Sequence, residues 1–468
     1  MTTEIRSPGQ TPSAAEDGLF SRTYLHSTIG FACVMFLMGF AALALVTTMP
    51  VAVRELDGLR FYALVFGGFV AASLFGSVLA GQLTDRYGPR RPLLAGLVLS
   101  VVGLVIAGSA TTVWQLVAGR VVDGLAASTV TVAVNVTIGR TYPAGLRPRA
   151  LALMSTCWII PSLAGPPVAG LVTEWYSWRW VFFALAVLTA VPAFFAWRGA
   201  PDTGSEEAEG PGRAAPAAVA AVGAGLLQYA ASAWDLWHLL FAVAGAALLL
   251  PALPRLLPGG TLRAGRGIPS VVLLGGLAAG SYFTLESFLP LMLIRERGVS
   301  VTAASIIFTA ATLTWAGASW LQGHTLSALP RHRLVAGGAG AVTAAALLAV
   351  AGASGGAPVL LTGAALAVAG LGMGVLLPSL TVLVLEYCPP REQGRYSAAL
   401  QVAQGIGQVL LMGLAGALFN AGSGLGAGGG EAYTVPFAVV LAVTAGACLL
   451  ALRVRPRTAP DQPNVRTD

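Results

Sequence analysis

Gly81-Gln82-Leu83-Thr84-Asp85-Arg86-Tyr87-Gly88-Pro89-Arg90-Arg91 is the stretch on which the reading of this chain turns. It separates two long apolar runs, and no other part of the sequence packs so much charge into so few positions. A chain that leaves one apolar run through Gly-x-x-x-Asp-Arg and enters the next after Gly-x-Arg-Arg must turn tightly, at a membrane surface. Gly81 leaves room for a neighbouring helix, and Gly88-Pro89 supplies the turn. Asp85 stands among arginines, so its carboxylate is expected to lock to them or to the positive N-terminus of another helix.

Composition points the same way. Of 468 residues, 56% are hydrophobic and 10% charged, where soluble domains carry about 25% charged residues. The chain has 58 glycines, a residue more frequent in membrane helices than in soluble ones. Many uninterrupted apolar stretches reach the roughly 20 residues that cross a bilayer. The basic side of the +7 net charge is all arginine, spread through short loops, which is no nucleic-acid surface. Cys33, Cys157, Cys388 and Cys448 lie in or beside apolar spans without paired spacing, so neither a disulfide framework nor a metal site is expected. The sequence has no Gly-rich phosphate loop, metal-ligand quartet or nucleophile triad. An enzyme, an ATP-driven pump and a bound cofactor are therefore without support.

Apolar spans are read at 28–50, 61–83, 92–111, 114–137, 150–173 and 179–198, then at 215–232 and 236–254. Six more follow at 268–293, 302–323, 334–353, 358–380, 394–420 and 434–453. The expected division is a disordered cytoplasmic tail at 1–26 and a six-helix bundle at 27–200. A polar linker with two inserted membrane helices follows at 201–260, then a second six-helix bundle at 261–454 and a cytoplasmic tail at 455–468. The polar start, with Glu4, Glu16 and Asp17, is not a signal peptide.

Arginine placement tests this division. With both termini in the cytoplasm, 21 arginines fall inside, and Arg54, Arg60, Arg179, Arg295 and Arg297 fall outside. Arg120 alone is left within a span. The positive-inside rule demands that asymmetry. A twelve-span reading with 215–254 as a surface hairpin keeps the same sidedness, but both segments are too apolar to lie in water. The chain also repeats. Tyr142-Pro143…Arg149 is echoed by Tyr387-Cys388-Pro389…Arg395, and the Gly81 loop, eroded, by Gly323-His324…Arg331-His332-Arg333, at nearly one offset. Two homologous bundles place a site at their interface, near mid-membrane.

The Gly81–Arg91 loop resembles the cytoplasmic loop signature of the major facilitator superfamily, and all the signature positions match. In the fifth span, Gly165-Pro166-Pro167-Val168-Ala169-Gly170 breaks the backbone ladder and lets another helix pack closely. This run resembles the antiporter signature of drug:proton exporters, Gly-Pro-x-x-Gly-Gly, with Ala169 for one glycine and Pro161 for an earlier one. The resemblance implies export rather than uptake. Ser177-Trp178-Arg179-Trp180 also looks like that family's entry into span six.

Three charged residues lie deep in spans. A buried arginine at membrane depth is costly and faces the bundle interior with a partner. Asp123, three residues after Arg120, shares its helix face. The pair resembles the family's Arg-x-x-Gln-Gly motif, in which the arginine is linked to proton transfer. Asp123 stands where glutamine is usual, so it either neutralises Arg120 structurally or supplies a titratable carboxylate. Glu286, within Ser281-Tyr282-Phe283-Thr284-Leu285-Glu286, is the clearest lone acid in any span. It either lies near enough to the outer surface to be wet, or is the substrate or proton site preferred here. Related fourteen-span exporters carry an aspartate in span one. Counting back from Pro50, that position is Ala41, and only Thr47 and Thr48 remain polar there. Coupling would then fall to Asp123 and Glu286. Tyr282, Trp315, Thr47, Thr48, Gln401 and Gln404 are candidates for cavity lining. Gln401, Gln404 and Gln408 share one helix face, which serves either as lining or as interhelical glue.

The expectation is an all-α membrane protein of that superfamily's fold, with fourteen spans, in the cell membrane. It would export small hydrophobic molecules against protons as a monomer, by rocking of two bundles. Asp85 and its arginines (Arg86, Arg90 and Arg91) would brace the inward-closed state. Two alternatives remain. One is a same-fold transporter of a specific metabolite, lipid or siderophore, and the other is a scaffold or sensor that no longer transports.

Overall fold

In hydrocarbon every backbone N–H and C=O must find a partner within the protein, and a helix provides those partners within one segment. Every regular element among the described residues is accordingly helical. The computed structural model describes residues 18–143, 146–199, 214–326, 329–354, 356–389, 392–424 and 430–455. The expected linker at 201–213 and most of both expected tails, at 1–17 and 456–468, lie outside the described residues.

The first half of the chain forms α1 (Leu25–Glu55), α2 (Tyr62–Tyr87), α3 (Arg90–Gly108), α4 (Val113–Thr141), α5 (Arg147–Thr156), α6 (Ile159–Trp175) and α7 (Trp178–Gly199). Then come α8 (Ala214–Ala230) and α9 (Leu236–Leu256). The second half forms α10 (Ile268–Glu296), α11 (Val301–His324), α12 (Arg331–Ala353), α13 (Val359–Tyr387), α14 (Gln393–Gly424) and α15 (Glu431–Ala451). Eleven candidate spans among the described residues are long and apolar enough to cross a bilayer, and Trp178–Ala190 and Ala215–Ala230 are shorter apolar helices. Polar caps extend several helices past their apolar runs. Thr112 accepts from Gln115 N (3.3 Å) at the start of α4, and Ser300 from Ala303 N (3.2 Å) at the start of α11. In the α8–α9 loop, Asp235 caps α9, and its hydrogen bonds from the backbone and ring of His238 hold its carboxyl below the usual range.

One span differs from its expected form. The segment read as continuous at 150–173 is two helices, α5 and α6, parted at Cys157–Trp158. Pro161 is the reason: it has no N–H to give the Cys157 carbonyl, and its ring crowds that same carbonyl. Pro166 and Pro167 lie inside α6 without ending it.

The same pairs of helices pack in each half: α3 on α4 and α12 on α13, α2 on α4 and α11 on α13, α3 on α7 and α12 on α15. The repeat seen in sequence is a repeat of structure. Helix α4 ends on the extended cap Tyr142, and α13 on the equally extended Cys388. Between the halves, α2 meets α14 and α6 meets α11. Helices α8 and α9 do not stand apart, because α8 lies along α2 and also touches α14. Gln228 of α8 is buried in the space left by Gly67, and its Nε2 donates to Val409 O of α14 at 2.6 Å.

The seam between the halves is closed at one end by contacts that join them. At the end bearing Arg54, Arg60, Arg179, Arg295 and Arg297, Tyr62 Oη donates to Ser287 O (2.7 Å). Its ring also meets that of Phe288 at 5.5 Å. Asn420 Nδ2 donates to Arg60 O (2.9 Å), and Thr302 Oγ1 to Glu174 Oε2 (2.6 Å). A side chain at Gly405 of α14 would still strike Leu74 of α2, halfway along. Towards the arginine-rich end, a Cβ at Gly81 of α2 or Gly394 of α14 would have no atom of the described residues within 4 Å.

Candidate functional site

The glycine-proline run of α6 builds the α6–α11 seam. Proline at 166 leaves the Ser162 carbonyl without its helical donor. Thr312 Oγ1 of α11 donates to that carbonyl at 2.9 Å, so a hydrogen bond lost within one half is regained from the other. One turn on, a Cβ at Gly170 would lie 2.6 Å from Ser305 Oγ and 3.1 Å from Thr302 Cα. Gly165 faces Phe40 of α1. The same device recurs within the second half. Pro378 frees Gly374 O, which accepts from Ser319 Oγ at 2.9 Å. Gly170→Val is expected to prise α6 from α11 and to cost about 1–3 kcal/mol of seam stability. Spin labels at that end of α6 and α11 should then report a longer, broader distance, and an unchanged distribution would refute the contact.

Arg120 and Asp123 form a closed pair inside the first half. Arg120 Nη1 donates to Asp123 Oδ2 at 2.6 Å, Ser100 Oγ of α3 donates to Asp123 Oδ1 at 3.2 Å, and both charged residues are 6% exposed. The guanidinium lies 4.2 Å over the ring of Phe69 in α2. Three glycines make this crowding possible. Side chains at Gly103, Gly119 or Gly124 would strike the backbones of α4, α3 and α2 in turn. Arg120 Nε is buried without a partner.

Glu286 is surrounded differently. It is 5% exposed on the most deeply buried stretch of α10, and its one described hydrogen bond comes from Tyr282 Oη to Oε1 at 3.3 Å. The Tyr282 ring stands edge-on to Trp315 at 4.9 Å, so the acid, the phenol and the indole join α10 to α11. No described cation pairs with Glu286. Pro290, one turn on, frees the Glu286 carbonyl. The Glu286 carboxyl thus has a single hydroxyl against it, whereas the Asp123 carboxylate is engaged by a guanidinium and a hydroxyl.

The remaining expected residues divide. Thr47 and Thr48 are buried with their hydroxyls turned to Ala44 O of their own helix, at 3.3 and 2.9 Å. Gln401 is exposed, and Gln404 and Gln408 are half-buried on α14. Gly88 adopts φ +75°, the left-handed turn that a glycine allows before Pro89. Asp85 is exposed at the end of α2, in no ion pair with the described residues, and Gly81 has no helix against it. Sequence reading missed Ser100, Phe69, Gln228, Tyr62 and Asn420, whose partners lie between 23 and 360 positions away or on another helix. No local signal marks them.

Comparison with known proteins places this geometry in a family. The model described as Major Facilitator Superfamily matches residues 31–410 and 271–468. A protein named "Probable multidrug-efflux transporter" from Mycobacterium tuberculosis is 26% identical, over 88% of this chain and 92% of its own. An MFS-type transporter of an Acremonium species is 34% identical, but over only 29% of this chain and 24% of its own length. Among solved structures, a POT family transporter in complex with 5-aminolevulinic acid superposes with a TM-score of 0.70 at 13% identity, over 92% of this chain and 96% of its own. A D-xylose-proton symporter superposes with a TM-score of 0.66 at 15% identity, over 92% of this chain and 98% of its own. With helix pairs repeated in two halves and a family match along nearly the whole length, the chain is a member of the major facilitator superfamily of membrane transporters.

Proposed function

We propose that this transporter exports small hydrophobic molecules in exchange for protons, by alternating access, across the cell membrane. The single observation that carries the coupling is Glu286. It is a buried acid with one hydrogen bond, set beside Tyr282 and Trp315 at the seam's closed half. Asp123 is spent on Arg120, so the coupling carboxyl proposed is Glu286, with the Arg120–Asp123 pair as a brace within the first half. Fourteen spans are proposed, with α5 and α6 counted as one, both termini in the cytoplasm, bundles at 27–200 and 261–454, and the inserted pair within 201–260. On that orientation the closed end of the seam faces away from the cytoplasm. Asp85 and its arginines would close against the other half only when the seam rocks over. The relative from Mycobacterium tuberculosis that carries the multidrug-efflux name supports export.

The test is dye movement in proteoliposomes holding the full chain, under an imposed pH gradient. Accumulation that follows the gradient and collapses with a protonophore is expected. Dye movement indifferent to the gradient would remove the proton from the mechanism. No dye movement under any condition would remove the multidrug reading in favour of one specific metabolite.

A further inference from the structure

The arginine-poor end of α2, the turn between α8 and α9 and the end of α14 enclose a crevice of about 630 Å³. Its walls include Leu59, Arg60, Trp234, Phe419, Asn420 and Ser423. We propose that it binds the headgroup of an anionic phospholipid. The crevice is built rather than left over. Asn420 Nδ2 donates to Arg60 O and to Ala231 O, each at 2.9 Å, and so fastens all three walls. Trp234 Nε1 donates to Ala417 O at 2.8 Å and holds the turn against α14.

Charge and depth select the ligand. Arg60 is the one charged residue among those lining the crevice, is exposed, and is in no ion pair with the described residues. Its guanidinium lies 4.7 Å over the Phe61 ring, which packs on Trp114 at 4.6 Å, and Trp114 on Tyr229 at 5.8 Å. That aromatic row, with exposed Trp234 and Trp237 at the same end, forms the belt that sits where headgroups meet hydrocarbon. A phosphate at Arg60 gains a charge-assisted contact. Asn420 and Ser423 offer hydrogen bonds to glycerol hydroxyls, and Leu59, Trp234 and Phe419 cover the ester and upper acyl region. A zwitterionic lipid brings its own cation to the phosphate and has less need of Arg60. The crevice spans the α2–α14 seam, whose ends there must part when that side opens. A bound lipid therefore holds that end shut, an effect that rests on the alternating-access reading, although the binding does not.

The experiment is native mass spectrometry of the full-length protein, extracted from vesicles of equal phosphatidylglycerol and phosphatidylcholine. Wild type is expected to retain phosphatidylglycerol over phosphatidylcholine. Arg60→Gln should lower that retention about fivefold, the size of one arginine's attraction to anionic lipid. Ser423→Trp, which fills the crevice, should lower it as well. Arg54→Gln, at the same end but in a different cleft, should leave it unchanged. Retention by Arg60→Gln equal to wild type, an equal loss in Arg54→Gln, or displacement of the lipid by excess inorganic phosphate would each overturn the proposal.

Discussion

Glu286→Gln is expected to abolish gradient-driven efflux, to the level of vesicles without protein, while downhill movement of the same dye persists. Glutamine keeps the shape of the side chain and can still accept from Tyr282 Oη, now at 3.3 Å from Oε1, so the α10–α11 contact should survive. It cannot carry a proton between the two sides, which is the one property the exchange needs. Glu286→Asp keeps the carboxyl on a stem shorter by one methylene and should retain part of the coupled rate. Full gradient-driven efflux by Glu286→Gln would show that the proton travels elsewhere, with the Arg120–Asp123 pair as the next site to test.

Asp123→Asn should be the most destabilising single exchange in the first half. It leaves the Arg120 guanidinium buried, beneath Phe69, with no counter-charge and with an Nε that already lacks a partner. Breaking a buried pair by removing one member costs about 3–5 kcal/mol. Thermal unfolding in detergent should register this as a large fall in midpoint. Removing both charges together, as Arg120→Met with Asp123→Leu, should recover most of the loss, because similar volumes of apolar side chain fill the site without a charge to bury. A double variant that is stable and still exports against protons would assign the pair a structural part. One that is stable but uncoupled would return the coupling to Asp123.

The sequence by itself determined the class of fold. Apolar runs of membrane-crossing length, the arginine asymmetry and the Gly81–Arg91 turn follow from the bilayer's demand that backbone be paired and charge kept out. They are local, so they are legible in one dimension. The break in the fifth span was not legible: the sequence reads as continuous over 150–173, and of its three prolines Pro161 parts the helix while Pro166 and Pro167 do not, which composition alone does not distinguish. The pairing of Arg120 with Asp123 could be anticipated because three residues on a helix bring side chains to one face.

What each of these residues meets was decided by the tertiary structure. Ser100 and Phe69 complete the surroundings of the Arg120–Asp123 pair from α3 and α2, contacts that the proposed brace rests on. Thr312 satisfies Ser162 from 150 positions away, so that the proline motif is seen as a joint between halves rather than a kink. Gln228 and Asn420 show that α8 and the turn after it are fastened to α14, although the alanine-rich sequence of α8 names no partner. Asp85 stands exposed and without an ion pair among the described residues, which its place among arginines in the sequence did not show. Burial in a bilayer is a property of a segment and can be read from its composition. A hydrogen bond or a packing contact between helices depends on which segments meet, and only the folded chain fixes that.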